Sequence, residues 1–210
     1  MHALHHSAIR NLVLPLLEAG GTAPILQLGH PVLRRPAEPF DGQLDDAELA
    51  ALLELMRRTM HAAPGVGLAA PQIGVPLRIA VLEDGFAADP EVAAVRERTP
   101  LPYFAVINPR YAPIGTETAS FYEGCLSFAG FQGVVERHRT VRLDYRRADG
   151  SPATGQFTGW PARIVQHETD HLDGTLYLDK VLTRSLAGDA EYREYWAQPE
   201  IGRARAELGI

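Results

Sequence analysis

The stretch Gln166-His167-Glu168-Thr169-Asp170-His171 decides how the rest of this chain is read, because it sets two imidazoles four positions apart with a carboxylate beside the first. On an α-helix, positions i and i+4 lie on one face, so His167 and His171 face a common point and Glu168 stands next to it. Neutral imidazoles bind a divalent transition ion without cancelling its charge, so the ion still acidifies a bound water and polarises a carbonyl. A neighbouring Glu accepts the water's proton and later delivers it to the leaving group. Two His at this spacing also occur on ordinary polar helix faces, so the local context matters. Pro161 suits a first turn, Ala162, Ile164 and Val165 supply apolar faces, and Gly174 is a helix stop, which predicts a helix of about three turns.

Two His leave a metal site incomplete. Cys125, the chain's single cysteine, lies in Tyr122-Glu123-Gly124-Cys125-Leu126-Ser127, on a different element from the His pair. A lone cysteine is commonly a small buried hydrophobe. Beside a His pair, a soft thiolate flanked by glycine is instead a good third ligand for iron or zinc. A third segment, Pro64-Gly65-Val66-Gly67-Leu68-Ala69-Ala70-Pro71-Gln72-Ile73-Gly74, is a loop of small residues that lets a substrate or another backbone approach closely. It lacks the Lys-Ser/Thr ending of a phosphate loop. Gln72 is either a structural amide or a neutral donor to a developing oxyanion.

Together the three segments resemble the peptide deformylase family, whose hallmarks are GxGLAAxQ, EGCLS and QHExDH in that order. All three are intact here, as Gly65 to Gln72, Glu123 to Ser127 and Gln166 to His171. The likeness runs from Ile25-Leu26, through Gly29-His30-Pro31-Val32-Leu33-Arg34, to about Val181. The resemblance implies that Cys125, His167 and His171 bind one divalent metal ion, natively Fe2+, with Zn2+, Ni2+ or Co2+ as substitutes. It implies that Glu168 is general base and then acid, and that the Gln72 amide and the Leu126 backbone N-H hold the oxyanion. Water would then attack the formyl carbon of an N-formylmethionyl nascent peptide, and formate would leave. Gly67 would offer its backbone to the peptide, and Glu123 would brace the site.

Helical spacing suggests where the methionine side chain sits. Ile164 and Trp160 fall three and seven positions before His167, on the ligand-bearing side, with Trp160 at or just before the helix start, and Val66 approaches from the small-residue loop. All three are equally readable as core. The chain departs from the family after EGCLS, where Phe128-Ala129-Gly130-Phe131-Gln132-Gly133 stands in place of an aliphatic residue, Pro and a later Arg. The missing Pro is expected to relax the loop, and Gln132 to remove a positive charge from the cleft rim.

The fold expected is α+β, with largely antiparallel β-sheets around a central metal-binding helix; the resemblance supports this more than periodicity does. Asp45 with Glu48 forms a capping box for a helix whose apolar stripe is Leu49, Leu52, Leu53, Met56 and Met60. Arg78 to Leu82 and Phe104 to Ile107 read as buried strands, and Val141 to Tyr145 with Gln156 to Thr158 as a hairpin turning at Asp149-Gly150. Residues 1–22 read as an extension, a helix on the body more readily than a dimer contact, residues 23–183 as the catalytic domain, and residues 184–210 as a helical tail packed on it. His2, His5 and His6 read as a solvated terminus.

The chain has 210 residues, 46% hydrophobic, and a formal net charge of -6, which argues against broad binding to DNA or to an anionic membrane. One cysteine precludes an internal disulfide and suits the cytoplasm. The apolar run near Leu12 is short and interrupted by Pro15. Docking of the tail on the ribosome would need a basic surface, which a mixture of Arg with Asp and Glu does not supply. The rivals are a zinc endopeptidase, which needs a downstream carboxylate or His as third ligand, and a catalytically silent deformylase-like binding protein.

Overall fold

The computed structural model describes residues 6–210, so His2 and His5 lie outside the described residues, as does the side chain of His6. In chain order the elements are α1 (His6–Ala19), α2 (Asp46–Ala62), β1 (Gly67–Ala69), β2 (Ile79–Asp84), α3 (Pro90–Val95), β3 (Leu101–Pro113), β4 (Thr118–Cys125), β5 (Phe128–His138), β6 (Thr140–Arg146), β7 (Pro152–Thr158), α4 (Trp160–Leu172), β8 (Ala187–Gly188), α5 (Asp189–Glu191) and α6 (Gly202–Leu208). Every strand pairing is antiparallel. One sheet has the order β1-β2-β3-β6-β7 and the other β4-β5-β8. Helix α4 packs against strands of both, so an α+β fold surrounds the helix that carries the His pair.

Helix α2 begins as its capping box predicts. The Glu48 N-H donates to Asp45 Oδ1 at 2.8 Å, and the Asp45 N-H donates to Glu48 Oε2 at 3.1 Å. Its apolar stripe is buried with β1, β2 and the inner face of α1, where Ile9 and Val13 are almost fully enclosed. Helix α1 continues past Pro15. That residue is on the exposed side, so the carbonyl left without its usual N-H partner faces solvent.

Two expectations need correction. Gly67 to Ala69, read as loop, is a short edge strand paired to β2 with Gly67 opposite Leu82, and Ala70 to Ile73 continue as a 3-10 turn. Small side chains are what let this edge sit directly beneath α4. The segment after Ser127, expected to be loosened by the missing Pro, is built as a tight turn. Cys125 pairs with Phe128 across the two-residue turn Leu126-Ser127, and Phe128 stacks on Phe131 with ring centroids 4.8 Å apart. Trp160, placed at or just before the helix start, is the first residue of α4.

Beyond residue 184 the chain forms short segments. Strand β8 extends the smaller sheet, while Ile201 and Ala204 are buried against Tyr122 and Val134. Among the described residues, no helix is long and apolar enough to cross a membrane.

Helix α4 is fixed by specific contacts at its middle and at its C-terminus. Gln166 spans to β5, accepting from the His138 N-H at 3.2 Å and donating to the His138 carbonyl at 2.8 Å. At the C-terminus Arg78 donates to the Leu172 carbonyl at 3.1 Å and pairs with Asp173 at 2.6 Å, a cation where the helix dipole favours one. Gly174 then turns the chain at φ 74°, and a Cβ there would lie 2.9 Å from the backbone carbonyl carbons of both Arg34 and Arg35. Gly174→Ala combines a left-handed conformation with this clash, so it should cost about 1–3 kcal/mol or more. Calorimetry should show a Tm lowered by several degrees, and an unchanged Tm would contradict the packing described.

Candidate metal centre and cleft

Helix α4 and the β4-β5 turn meet at one point. Cys125 Sγ lies 3.3 Å from His171 Nε2, and the ligand atoms of Cys125, His167 and His171 are all within 4.8 Å of one another. This is the grouping of His, Cys and acidic residues close enough to hold a metal ion among the described residues. The third position of the site is therefore a thiolate, where the endopeptidase reading requires a downstream carboxylate or His.

The donor set suits a divalent transition ion: one soft sulfur and two imidazole nitrogens converge on one point. Glu123 fixes the first imidazole. Its Oε2 lies 3.0 Å from His167 Nδ1, which leaves Nε2 as the atom turned toward Cys125. Although burial opposes it, Cys125 and Glu123 hold the His167 pKa well above the ordinary imidazole value, so their combined field favours a cation at this spot. His171 is pushed the other way, by burial first and by the His167 and Arg137 charges next, which keeps it neutral and able to donate a lone pair.

Glu123 is itself buried, and its charge is sustained by arginines. Arg137 makes a bidentate pair with it at 2.6 and 2.9 Å, and Arg163 reaches Oε1 at 2.5 Å. Burial alone would raise its carboxyl; Arg137, His167 and Arg163 outweigh that and hold it well below the usual carboxylate range. Arg137 also pairs with Asp170 at 2.8 Å, and Asp170 accepts from Lys180 at 2.6 Å and from the Tyr111 hydroxyl at 3.1 Å. These five residues beyond Glu123 were not singled out from the sequence. Arg163 carried a signal, since it sits four positions before His167 on the same helix face; Asp170 lies inside the quoted motif.

Glu168 occupies the opposite side of the cleft. Its Oε2 is buried without a hydrogen-bond partner, and burial pushes its carboxyl up to about 7, with His167 and Arg137 pulling back. A carboxyl raised in this way is a stronger base than an exposed one, and the free oxygen is available to a reacting group. Gly67 faces it so closely that a Cβ at that position would overlap the Glu168 carboxylate. Gln72 is oriented on both sides. Its Oε1 accepts from the Ala69 N-H at 2.8 Å, and its Nε2 points to Ser127 Oγ at 3.2 Å and Cys125 Sγ at 3.9 Å. Leu126 lies at the turn beside Cys125, its carbonyl held by the Gln27 amide at 3.0 Å.

A cleft of about 690 Å³ opens over this group. It is lined by Gln72, Leu126, Gly67, Val66, Trp160, Ile164, Glu123, Cys125, His167 and Glu168, so the structure brings these sequence candidates to one place, with His171 against Cys125 at its floor. Residues not foreseen in the sequence complete the wall, including Phe128, Phe131, Arg163 and Asp189.

Replacing Glu123 by Gln should weaken metal affinity about 10- to 100-fold, because the His167 ring loses its charged anchor. Chelator competition measures this, and unaltered affinity would remove Glu123 from the site. Arg137→Ala leaves two buried carboxylates short of a partner and should cost about 3–5 kcal/mol of folding stability. Denaturant titration gives the value, and a loss below about 1 kcal/mol would mean that the other cations compensate.

A family model described as Polypeptide deformylase matches residues 22–186. Peptide deformylase 1 of Streptomyces coelicolor is 55% identical over 195 residues, covering 93% of this chain and 89% of that protein. The crystal structure of peptide deformylase from Thermotoga maritima superposes with a TM-score of 0.66 at 34% identity, covering 77% of this chain and 99% of that one. A Met-Ala-Ser-bound class I type b peptide deformylase from Acinetobacter baumannii gives a TM-score of 0.68 at 31% identity, over 76% of this chain and 98% of that one.

Proposed function

This chain belongs to the polypeptide deformylase family and is a metal-dependent hydrolase that takes the formyl group from the N-terminal N-formylmethionine of newly made polypeptides; we propose that Glu168, Gln72 and Leu126 carry the reaction at the Cys125, His167 and His171 centre. The observation that carries these roles is the unpartnered, buried Glu168 oxygen beside a three-ligand group in an open cleft.

Cys125, His167 and His171 would hold a divalent ion, which when bound would supply Lewis acidity to the formyl carbonyl and to water. Glu168 takes the proton from the attacking water on its free oxygen. The Gln72 side-chain N-H and the Leu126 backbone N-H stabilise the charge that develops on the formyl oxygen, and Ala69 keeps the Gln72 amide in the donating orientation. Glu168 then returns the proton to the departing amine as the C-N bond breaks. Formate and a free amino terminus result.

Gly67 presents the peptide with a backbone edge, since β1 has β2 on one side only. Val66, Trp160 and Ile164 line the cleft and would receive the unbranched methionine side chain. The Acinetobacter baumannii relative with Met-Ala-Ser bound is consistent with a peptide of this kind lying in the cleft. We assign Fe2+ as the working ion on the strength of the thiolate-imidazole donor set and the family resemblance, with Zn2+, Ni2+ and Co2+ as substitutes. A thiolate ligand is best kept in reducing surroundings, which supports the cytoplasm as the compartment. Encounter with ribosomal products runs through the nascent peptide; the segment after residue 184 mixes both charges and has its apolar side chains packed on Tyr122 and Val134.

Formate release from a short N-formylmethionyl peptide by anaerobically prepared, metal-loaded protein tests the assignment. Glu168→Gln should retain the metal and lose about 10²- to 10⁴-fold in kcat. A silent binding protein would release no formate with its metal in place. Gly67→Ala should lower kcat/KM at least as severely, because the added methyl overlaps Glu168; wild-type rates would refute the close approach.

A further inference from the structure

Three arginines converge on one aromatic ring in the wall of the cleft. The guanidinium carbons of Arg96, Arg98 and Arg163 lie 5.3, 5.7 and 5.8 Å from the centroid of the Trp160 ring. Arg96 also lies 5.5 Å from the Phe121 ring, which meets Trp160 edge-on at 6.4 Å. The Trp160 indole N-H is buried without a hydrogen-bond partner, so the ring is placed by what stacks against it.

The three cations are held in different ways. Arg163 is bound to Glu123, and Arg98 makes a bidentate pair with the buried Asp84, both contacts at 2.8 Å. Arg96 instead donates through Nε to the Pro199 carbonyl at 2.9 Å and through Nη2 to the Gln198 carbonyl at 2.8 Å. Those carbonyls belong to the C-terminal segment, which Ile201 and Ala204 anchor against Tyr122 and Val134, with the Tyr192 and Tyr122 rings 5.0 Å apart.

The turn that presents Arg96 is over-determined. Glu97 has φ 47°, a conformation that a non-glycine residue keeps only where its surroundings impose it. Arg139 clasps the Glu97 carboxylate at 2.6 and 2.7 Å, and the Glu97 carbonyl accepts from the Trp160 N-H at 3.4 Å. Gly159 packs so tightly here that a Cβ on it would lie 2.7 Å from the same carbonyl oxygen. Residues 96–98 thus grip the start of α4 by its backbone and the first side chain of that helix by two cations.

We propose that Arg96 is a positioning residue for Trp160, and that residues 197–201, through the carbonyls of Gln198 and Pro199, thereby set the width of the end of the cleft that takes the methionine side chain. The proposal rests on the deformylase reading above and adds the C-terminal segment to the parts of the chain that decide how strictly that side chain is selected. Arg96 does not itself line the cleft; it acts through the ring.

Arg96→Met keeps the apolar stem and removes the cation and both donors, whereas Arg96→Lys keeps the cation without the fork that spans two carbonyls. On metal-loaded full-length protein, Arg96→Met should raise KM for formyl-Met-Ala-Ser about three- to tenfold with kcat nearly unchanged, and should shrink the preference for that peptide over formyl-Ala-Ala-Ser. Arg96→Lys should recover part of the loss, and Ile201→Ala, which loosens the segment from its other side, should move KM the same way. Wild-type KM and preference in Arg96→Met, a loss confined to kcat, or an unaltered KM in Ile201→Ala would overturn the proposal. Fluorescence reads the ring without turnover. The chain has two tryptophans, so Trp196→Phe leaves Trp160 as the single emitter. In that background Arg96→Met should red-shift the emission and lower its anisotropy, and an identical spectrum and anisotropy would refute the positioning role whatever the activity. Absence of formate from every variant and the parent, with Trp160 still responding to Arg96, would defeat the deformylase reading alone.

Discussion

The arrangement depends on a single buried charge, the Glu123 carboxylate. Removing such a group from water costs several kcal/mol, and it is retained only because two guanidiniums and an imidazole are delivered to it from other elements. Arg137 comes from β5, Arg163 and His167 from α4, and Glu123 from β4. The pairing therefore acts as a register mark: a slip of either hairpin strand or of the helix would strand an ion in the interior. With that mark satisfied, His167 has one ring orientation, and the next two residues of β4 bring Cys125 to the ligand position.

The second carboxylate, Glu168, is the counterpart. It is also buried, yet it has no guanidinium against it, and its protonation behaviour is moved in the opposite direction from that of Glu123. Two acids close together in one helix-sheet junction thus acquire different duties through their neighbours: one permanently ionised and mechanical, the other poised to exchange a proton. The difference originates in which side of α4 each faces, toward the arginine-bearing sheet or toward β1 and its glycine.

Much of this was readable in the primary structure, for identifiable reasons. The i, i+4 spacing of the His pair, the capping box at Asp45 and the punctuation by Pro161 and Gly174 are local signals, and local signals survive in a sequence. The ion network was not legible, because its ion pairs join residues 10 to 44 positions apart and each alone is an unremarkable surface-type side chain. Gly67 to Ala69 was misread as loop because a single Leu between Gly and Ala carries no alternation; their strand character comes from β2, a tertiary partner. The tight turn after Ser127 was hidden for a similar reason, since the pairing of Cys125 with Phe128 is set by the register of β4 on β5.

The ligands come from two parts of the architecture: a turn of the smaller sheet, and a helix that packs chiefly on the larger one. An ion gripping Cys125 and the His pair is then a cross-link between the sheets, closing a chain loop of more than forty residues. It binds the assembled form and has no equivalent partner in the unraveled chain, so its affinity adds to cohesion by mass action. Scarcity of the ion would accordingly remove catalyst and scaffold together, and the standing abundance of this polypeptide becomes tied to the metal economy around it.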